Sequence, residues 1–175
     1  MIRQATIDAF LARRDLNDFS WLKAYGHHAL DQALGELSPP PDFGKSVLWL
    51  HQKVGLLLLL ELKRFLLHWQ MGAWKTLLTL MLLKYRKQCG EKPKAIVFVP
   101  YITSVDTWVE EVKKHAPDLT CIPLLGTTDT NLANLAADGD LFVICYQSAV
   151  AMVAEAVPTK DGKSKWQLNA KQVRE

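Results

Sequence analysis

Lys63-Arg-Phe-Leu-Leu-His-Trp-Gln-Met-Gly-Ala-Trp-Lys-Thr76 is the stretch on which the reading of this chain turns. Arg64 to His68 has the look of a short buried strand, Gln70 to Trp74 of a tight turn, and Lys75-Thr76 of the opening of a long helix. A strand that feeds a helix through a loop ending in Lys-Thr is how phosphate-binding loops are built. Loop amides and the helix N-terminus face the anion, the lysine reaches the terminal phosphates, and the threonine hydroxyl holds a magnesium ion. The motif wants G-x-x-x-x-G-K-[ST]. Here Trp69 stands at the first glycine position and Trp74 at the second, while Gly72, Lys75 and Thr76 remain.

Outward from this stretch, apolar runs alternate with helical periods. Leu50 to Leu62 is apolar almost all round, the pattern of a buried helix. Leu77 to Gln88 continues the loop helix, with Lys84, Arg86 and Lys87 near its C-terminus, where cations suit the dipole, and Gly90 ending it. Lys94 to Pro100 is a continuous apolar run, expected of a parallel strand covered on both faces. Ser104 reads as the cap of a helix through His115. Leu119 to Leu125 is expected as a strand, Thr128 to Ala137 as a helix, Asp140 to Cys145 as a strand, and Tyr146 to Val153 as a helix. Beyond Pro158 the chain turns polar, with a loop or hairpin tip before a returning segment at Trp166. The fold class is therefore α/β, a mostly parallel sheet with helices on both faces. Ligands on such sheets sit at the carboxyl ends of strands. Four segments converge there: the loop before Lys75, Pro100 to Thr103, Gly126-Thr127 and Tyr146 to Ser148.

Residues 1–37 form a small helical module. Ile7, Phe10, Leu11, Leu16, Phe19 and Leu22, then Leu30, Ala33, Leu34 and Leu37 recur at helical spacing. Asp15 and Asn17 punctuate it, and Gly26 reads as a further break. The module reads either as a packing layer on the main lobe or as an appendage that binds DNA or a protein partner. Residues 38–45 contain three prolines and read as a linker. Residues 46–175 are the main lobe.

The chain's 175 residues suit one full domain and a small appendage, and 49% hydrophobic with 22% charged residues describe an ordinary globular protein. A net charge of +3 points to no particular partner. Cys89, Cys121 and Cys145 lack metal spacing. With no secretory segment, they read as reduced thiols of an intracellular protein, in cytoplasm, nucleoid or nucleus, or in a host cell if the chain is viral. Val54 to Leu60 is too short to span a bilayer, so no membrane role is expected. His27, His28 and His68 have no ligand partners at metal spacing, and the lysine runs at 84–87 and 113–114 read as solvated faces.

Taken in order, His51-Gln52-Lys53, Arg64-Phe-Leu-Leu, Met71-Gly72-Ala-Trp-Lys75-Thr76, Ala95 to Pro100 with the helix after it, and Leu141 to Ser148 resemble the opening of superfamily 2 helicases. The Swi/Snf-type DNA translocases are the nearest match, over roughly residues 48–153. The resemblance implies a first RecA-like lobe, incomplete here, in a motor that couples ATP and Mg2+ to movement on duplex or forked DNA. It implies that Gln52 meets the adenine edge, and that Met71, Gly72, Ala73, Trp74, Lys75 and Thr76 surround the phosphates. It further implies that Lys75 and Thr76 are the catalytic pair of the loop, with Thr76 on magnesium, and that Pro100, Tyr101, Tyr146 and Ser148 lie near the DNA backbone. Two departures stand out. Trp74 replaces the glycine whose bare backbone admits phosphates. In addition, the family's Asp-Glu pair should follow the last block, yet no such dipeptide occurs. The chain therefore reads as the front part of a first lobe. The rival reading is a loop-derived interaction domain whose degenerate loop no longer binds ATP, with the helical module docking a protein partner.

Overall fold

The computed structural model describes residue 8 and residues 22–62, 64–158 and 164–168, with backbone alone for residues 22–27, 155–158 and 164–168. The periodic stretch before Leu22 and the tip expected near Gly162 lie outside the described residues. Contacts divide the chain into two compact units. The first holds residues 1–93 and 114–118, the second 94–113 and 119–175.

In the first unit, α1 (Leu22–Gly35), α2 (Leu50–Glu61) and α3 (Lys75–Gln88) pack together. α1 runs without interruption through Gly26, where the sequence leads one to expect a break. A lone glycine costs a helix only about 1 kcal/mol, and the burial of Leu30, Ala33 and Leu34 outweighs it. Helix α2 is sunk over Gln52 to Leu58, and its buried Lys53 is ion-paired with Asp31 of α1. Gly55 has a specific reason to be glycine. A Cβ there would lie 2.7 Å from the Trp69 ring and 2.9 Å from Leu78. The prolyl stretch is strapped to the end of α3, because Gln88 donates to Pro40 O at 2.7 Å and accepts from Asp42 N at 2.9 Å. Helix α3 ends as expected. Gly90 has φ +81°, and Glu91 N donates to Arg86 O at 3.0 Å.

Arg64 to His68 forms no strand. Phe65 and Leu67 are half-buried while Arg64, Leu66 and His68 face out, so the period-2 alternation is present. However, an isolated strand satisfies none of its backbone groups, and no strand pairs with this one among the described residues.

The second unit carries β1 (Ala95–Val99), α4 (Ile102–His115, whose last two residues count with the first unit), β2 (Cys121–Pro123), α5 (Thr128–Ala136), β3 (Leu141–Cys145) and α6 (Tyr146–Val153). The three strands form a parallel sheet in the order β1-β3-β2, with helices around it. β3 is central, and all five of its residues are buried. β1 departs from the expected two-sided cover: Ile96 and Phe98 are 45% and 52% exposed. A strand at the sheet's margin has one neighbour to hide behind, whereas β3 has two. α4 begins at Ile102, three residues earlier than a Ser104 cap requires. Ser104 N already donates to Tyr101 O at 3.0 Å, inside the first turn. β4 (Ala154–Pro158) and β5 (Ser164–Leu168) pair antiparallel, with Ala154 opposite Leu168. The return at Trp166 is thus a hairpin strand.

Candidate functional site

The turn that leads into α3 is held by its own backbone. Ala73 N donates to Gln70 O at 3.3 Å, and Gly72 takes φ +81° with nothing within 4 Å of where a Cβ would stand. Trp74 then heads the helix with φ 55° and ψ 41°, the one non-glycine residue with positive φ among those described. The phosphate-loop pattern places glycine at this position, and the backbone here adopts the left-handed conformation that glycine accepts freely. In an L-residue it costs about 1–2 kcal/mol. The indole turns toward the end of α4 and meets the His115 ring edge-on at 6.2 Å, with the Lys114 ammonium 5.9 Å from its centre. No side chain caps the helix.

Lys75 and Thr76 are the first two residues of α3, both half-buried. The Lys75 ammonium folds back over the loop and donates to Trp69 O at 2.8 Å and Gln70 O at 3.0 Å. Met71 is 96% exposed. Gln52 is placed differently from a base reader. It is 2% exposed, its Oε1 accepts from Trp49 N at 2.8 Å, and its Nε2 donates to Trp74 O at 3.4 Å. One end of the amide closes the first turn of α2, the other anchors the left-handed residue of the loop. Gln52 and the loop are therefore brought together, through a backbone carbonyl.

In the second unit the strands run parallel, so Pro100-Tyr101 after β1, Gly126-Thr127 after β2 and Tyr146 to Ser148 after β3 share one carboxyl edge. Tyr101 and Tyr146 are 68% and 53% exposed. Ser148 Oγ lies 3.1 Å from Cys145 Sγ. That hydrogen bond, helped by the Ser148 and Gln147 amides, draws the Cys145 thiol below its ordinary pKa, whereas burial pushes Cys121 up. The loop before Lys75, expected at the same edge, belongs to the other unit.

The residues at the loop suit the phosphate end of a nucleotide. Gly72 leaves its backbone open, α3 presents uncapped amides, and a lysine and a hydroxyl follow. A base-reading group is not free at Gln52. Among the described residues no cluster of three His, Cys, Asp or Glu side chains is placed to hold a metal. No helix among them is long and apolar enough to cross a membrane.

The sequence profile of the SNF2-related domain matches residues 51–172. The chain belongs to this family of helicase-like ATPases within superfamily 2, whose members use ATP with Mg2+ and generally act on DNA. Among curated proteins, none matches the chain's sequence.

The sequence reading missed a set of side chains gathered beside Trp74. Lys87 donates to Asp118 O at 2.7 Å, and Lys84 lies 3.9 Å from the Asp118 carboxylate. These ties bring Lys114 and His115 alongside α3. Spacing along the chain carries no signal of such a return.

Proposed function

We propose that this chain is the nucleotide-loop portion of an ATP-dependent DNA helicase or translocase. The observation that supports the reading most is the left-handed residue at Trp74, directly before Lys75-Thr76 at the head of α3 and beside the open backbone of Gly72. In this reading Met71, Gly72, Ala73 and Trp74 give backbone contacts to the phosphates. Lys75 leaves the Trp69 and Gln70 carbonyls to neutralise the terminal phosphates, and the Thr76 hydroxyl takes Mg2+. Bound ATP–Mg2+ supplies the phosphoryl group whose hydrolysis drives the motor. Gln52 acts by fixing the Trp74 carbonyl, and Pro100, Tyr101, Tyr146 and Ser148 offer a DNA-backbone edge. Residues 1–37 form a module for a protein partner, 38–45 its connection, and 46–175 the lobe, in an intracellular protein.

Calorimetry with ATP and Mg2+ tests this on the chain, on Trp74→Gly and on Trp74→Gly/Lys75→Ala. Weak binding by the first, a gain of about tenfold or more in the second, and loss in the third are expected. A tenfold gain corresponds to about 1.4 kcal/mol of binding free energy.

A second reading, a non-catalytic interaction domain, draws on the self-satisfied state of the site. Lys75 and Gln52 both spend their polar atoms on the chain's own carbonyls and amides. It gains if Trp74→Gly binds ATP no better than the chain itself.

A further inference from the structure

Trp69 opens the loop at the position where the phosphate-loop motif has its first glycine. A glycine there has no side chain with which to hold a neighbouring helix. Trp69 has an indole, and the first unit gives it a seat. The far edge of its six-membered ring lies over Gly55 of α2. A Cβ on Gly55 would stand 2.7 Å from one carbon of that ring and 3.1 Å from another. The His51 ring, one turn earlier on α2, meets the indole edge-on at 5.0 Å and is itself met edge-on by Trp49 at 6.0 Å. Leu78 of α3 closes the same corner, 2.9 Å from that Cβ position. We propose that Trp69 is a positioning residue for Lys75: its ring, seated on Gly55, fixes the two carbonyls that hold the ammonium back over the loop.

The path from ring to ammonium is short. Trp69 O and Gln70 O accept from Lys75 Nζ at 2.8 and 3.0 Å. Hydrogen bonds from a charged donor are roughly twice as strong as neutral ones, provided that both acceptors stay in place. Gln70 O is fixed from the C-terminal side, where it also accepts from Ala73 N at 3.3 Å. On the N-terminal side Arg64 to His68 forms no strand, so no ladder among the described residues holds the approach to the loop. The indole does that work instead. His51 Nε2 is buried and finds no hydrogen-bond partner among the described residues. The imidazole therefore serves this corner through its ring.

The consequence for a nucleotide rests on the proposed role of Lys75 at the phosphates. An arriving anion must draw the ammonium off two carbonyls that cannot follow it. The latch itself belongs to the resting loop and involves no ligand.

The test is trace acylation of the nucleotide-free chain with an amine-reactive ester, read lysine by lysine by mass spectrometry. Lys53, buried and paired with Asp31, and the exposed Lys92 are the internal references. Trp69→Ala and, separately, Gly55→Ala should each speed acylation of Lys75 about tenfold, the order of one hydrogen bond from a charged donor, and leave Lys53 and Lys92 unchanged. Gly55→Ala reaches the indole from α2 without touching the loop. The double variant should do no more than Trp69→Ala, because Gly55 acts only through the ring. An unchanged rate at Lys75 in either single variant overturns the proposal. So does a parallel rise at Lys53, the mark of a loosened unit, or a double variant in which the two effects add. Circular dichroism of each variant checks the fold. Acylation needs no nucleotide, so failure here leaves the ATP reading standing, and a chain that never binds ATP leaves the latch standing.

Discussion

Helices α3 and α5 begin in opposite ways. α5 is closed by side chains. Thr127 Oγ1 accepts from Thr130 N at 3.4 Å, and the buried Asn131 amide grips both sides of Gly126, accepting from its N at 2.9 Å and donating to its O at 3.1 Å. Gly126 has no room for more, as a Cβ would lie 2.8 Å from Thr130. α3 is headed by a tryptophan in a glycine conformation, with no side-chain cap and an open turn before it. Stabilised helix starts are structural. A start that carries strain and leaves its amides uncovered is suited to an anion that can complete it.

Four substitutions sharpen or break that contrast, each read by chemical denaturation. Asn131→Ala should cost the most, about 2–3 kcal/mol, because it removes both hydrogen bonds to Gly126 and empties the place of a buried side chain. Gly126→Ala follows at roughly 1–3 kcal/mol, since the methyl meets the Cβ of Thr130 rather than a flexible tip. Thr127→Ala removes a cap and should cost about 1 kcal/mol. Trp74→Gly is the smallest. It relieves about 1–2 kcal/mol of left-handed strain and loses the ring's contact with Lys114, worth about 0.5–1 kcal/mol, for a net change within about 1 kcal/mol. A large loss on Trp74→Gly would make the α3 start as structural as that of α5 and remove the contrast. A negligible effect of Asn131→Ala would do the same from the other side.

The elements with their own periodicity were legible. β3, read from Asp140 to Cys145, is fully buried from Leu141, and α6 begins and ends where its apolar pattern does. The order of blocks led to the family, because each block has its own local chemistry. Properties that depend on a neighbour were not legible. Arg64 to His68 alternates like a strand but has none beside it, and β1 reads as covered because its five apolar residues carry no mark of standing at a margin. At the candidate site, the sequence located the loop and the anomaly at Trp74. It could not show that Gln52 spends its amide on Trp49 and Trp74, because that depends on how α2 meets the loop. Nor could it show that Lys114 and His115 return to α3, because that return is made by Asp118 across more than thirty residues of chain, from Lys87.

The central position of β3 has a consequence for synthesis. Ala95 finds its partner in Leu141, 46 residues later (141 − 95), and β2 also waits for β3. At 5–20 residues per second, β1 leaves the ribosome roughly 2–9 seconds before the strand that completes it. During that interval Ile96, Val97, Phe98 and Val99 form an unpaired apolar segment, the kind that holding chaperones engage. Nascent chains arrested before Leu141 should be cut by protease within residues 95–99, and chains arrested well past Cys145 should resist.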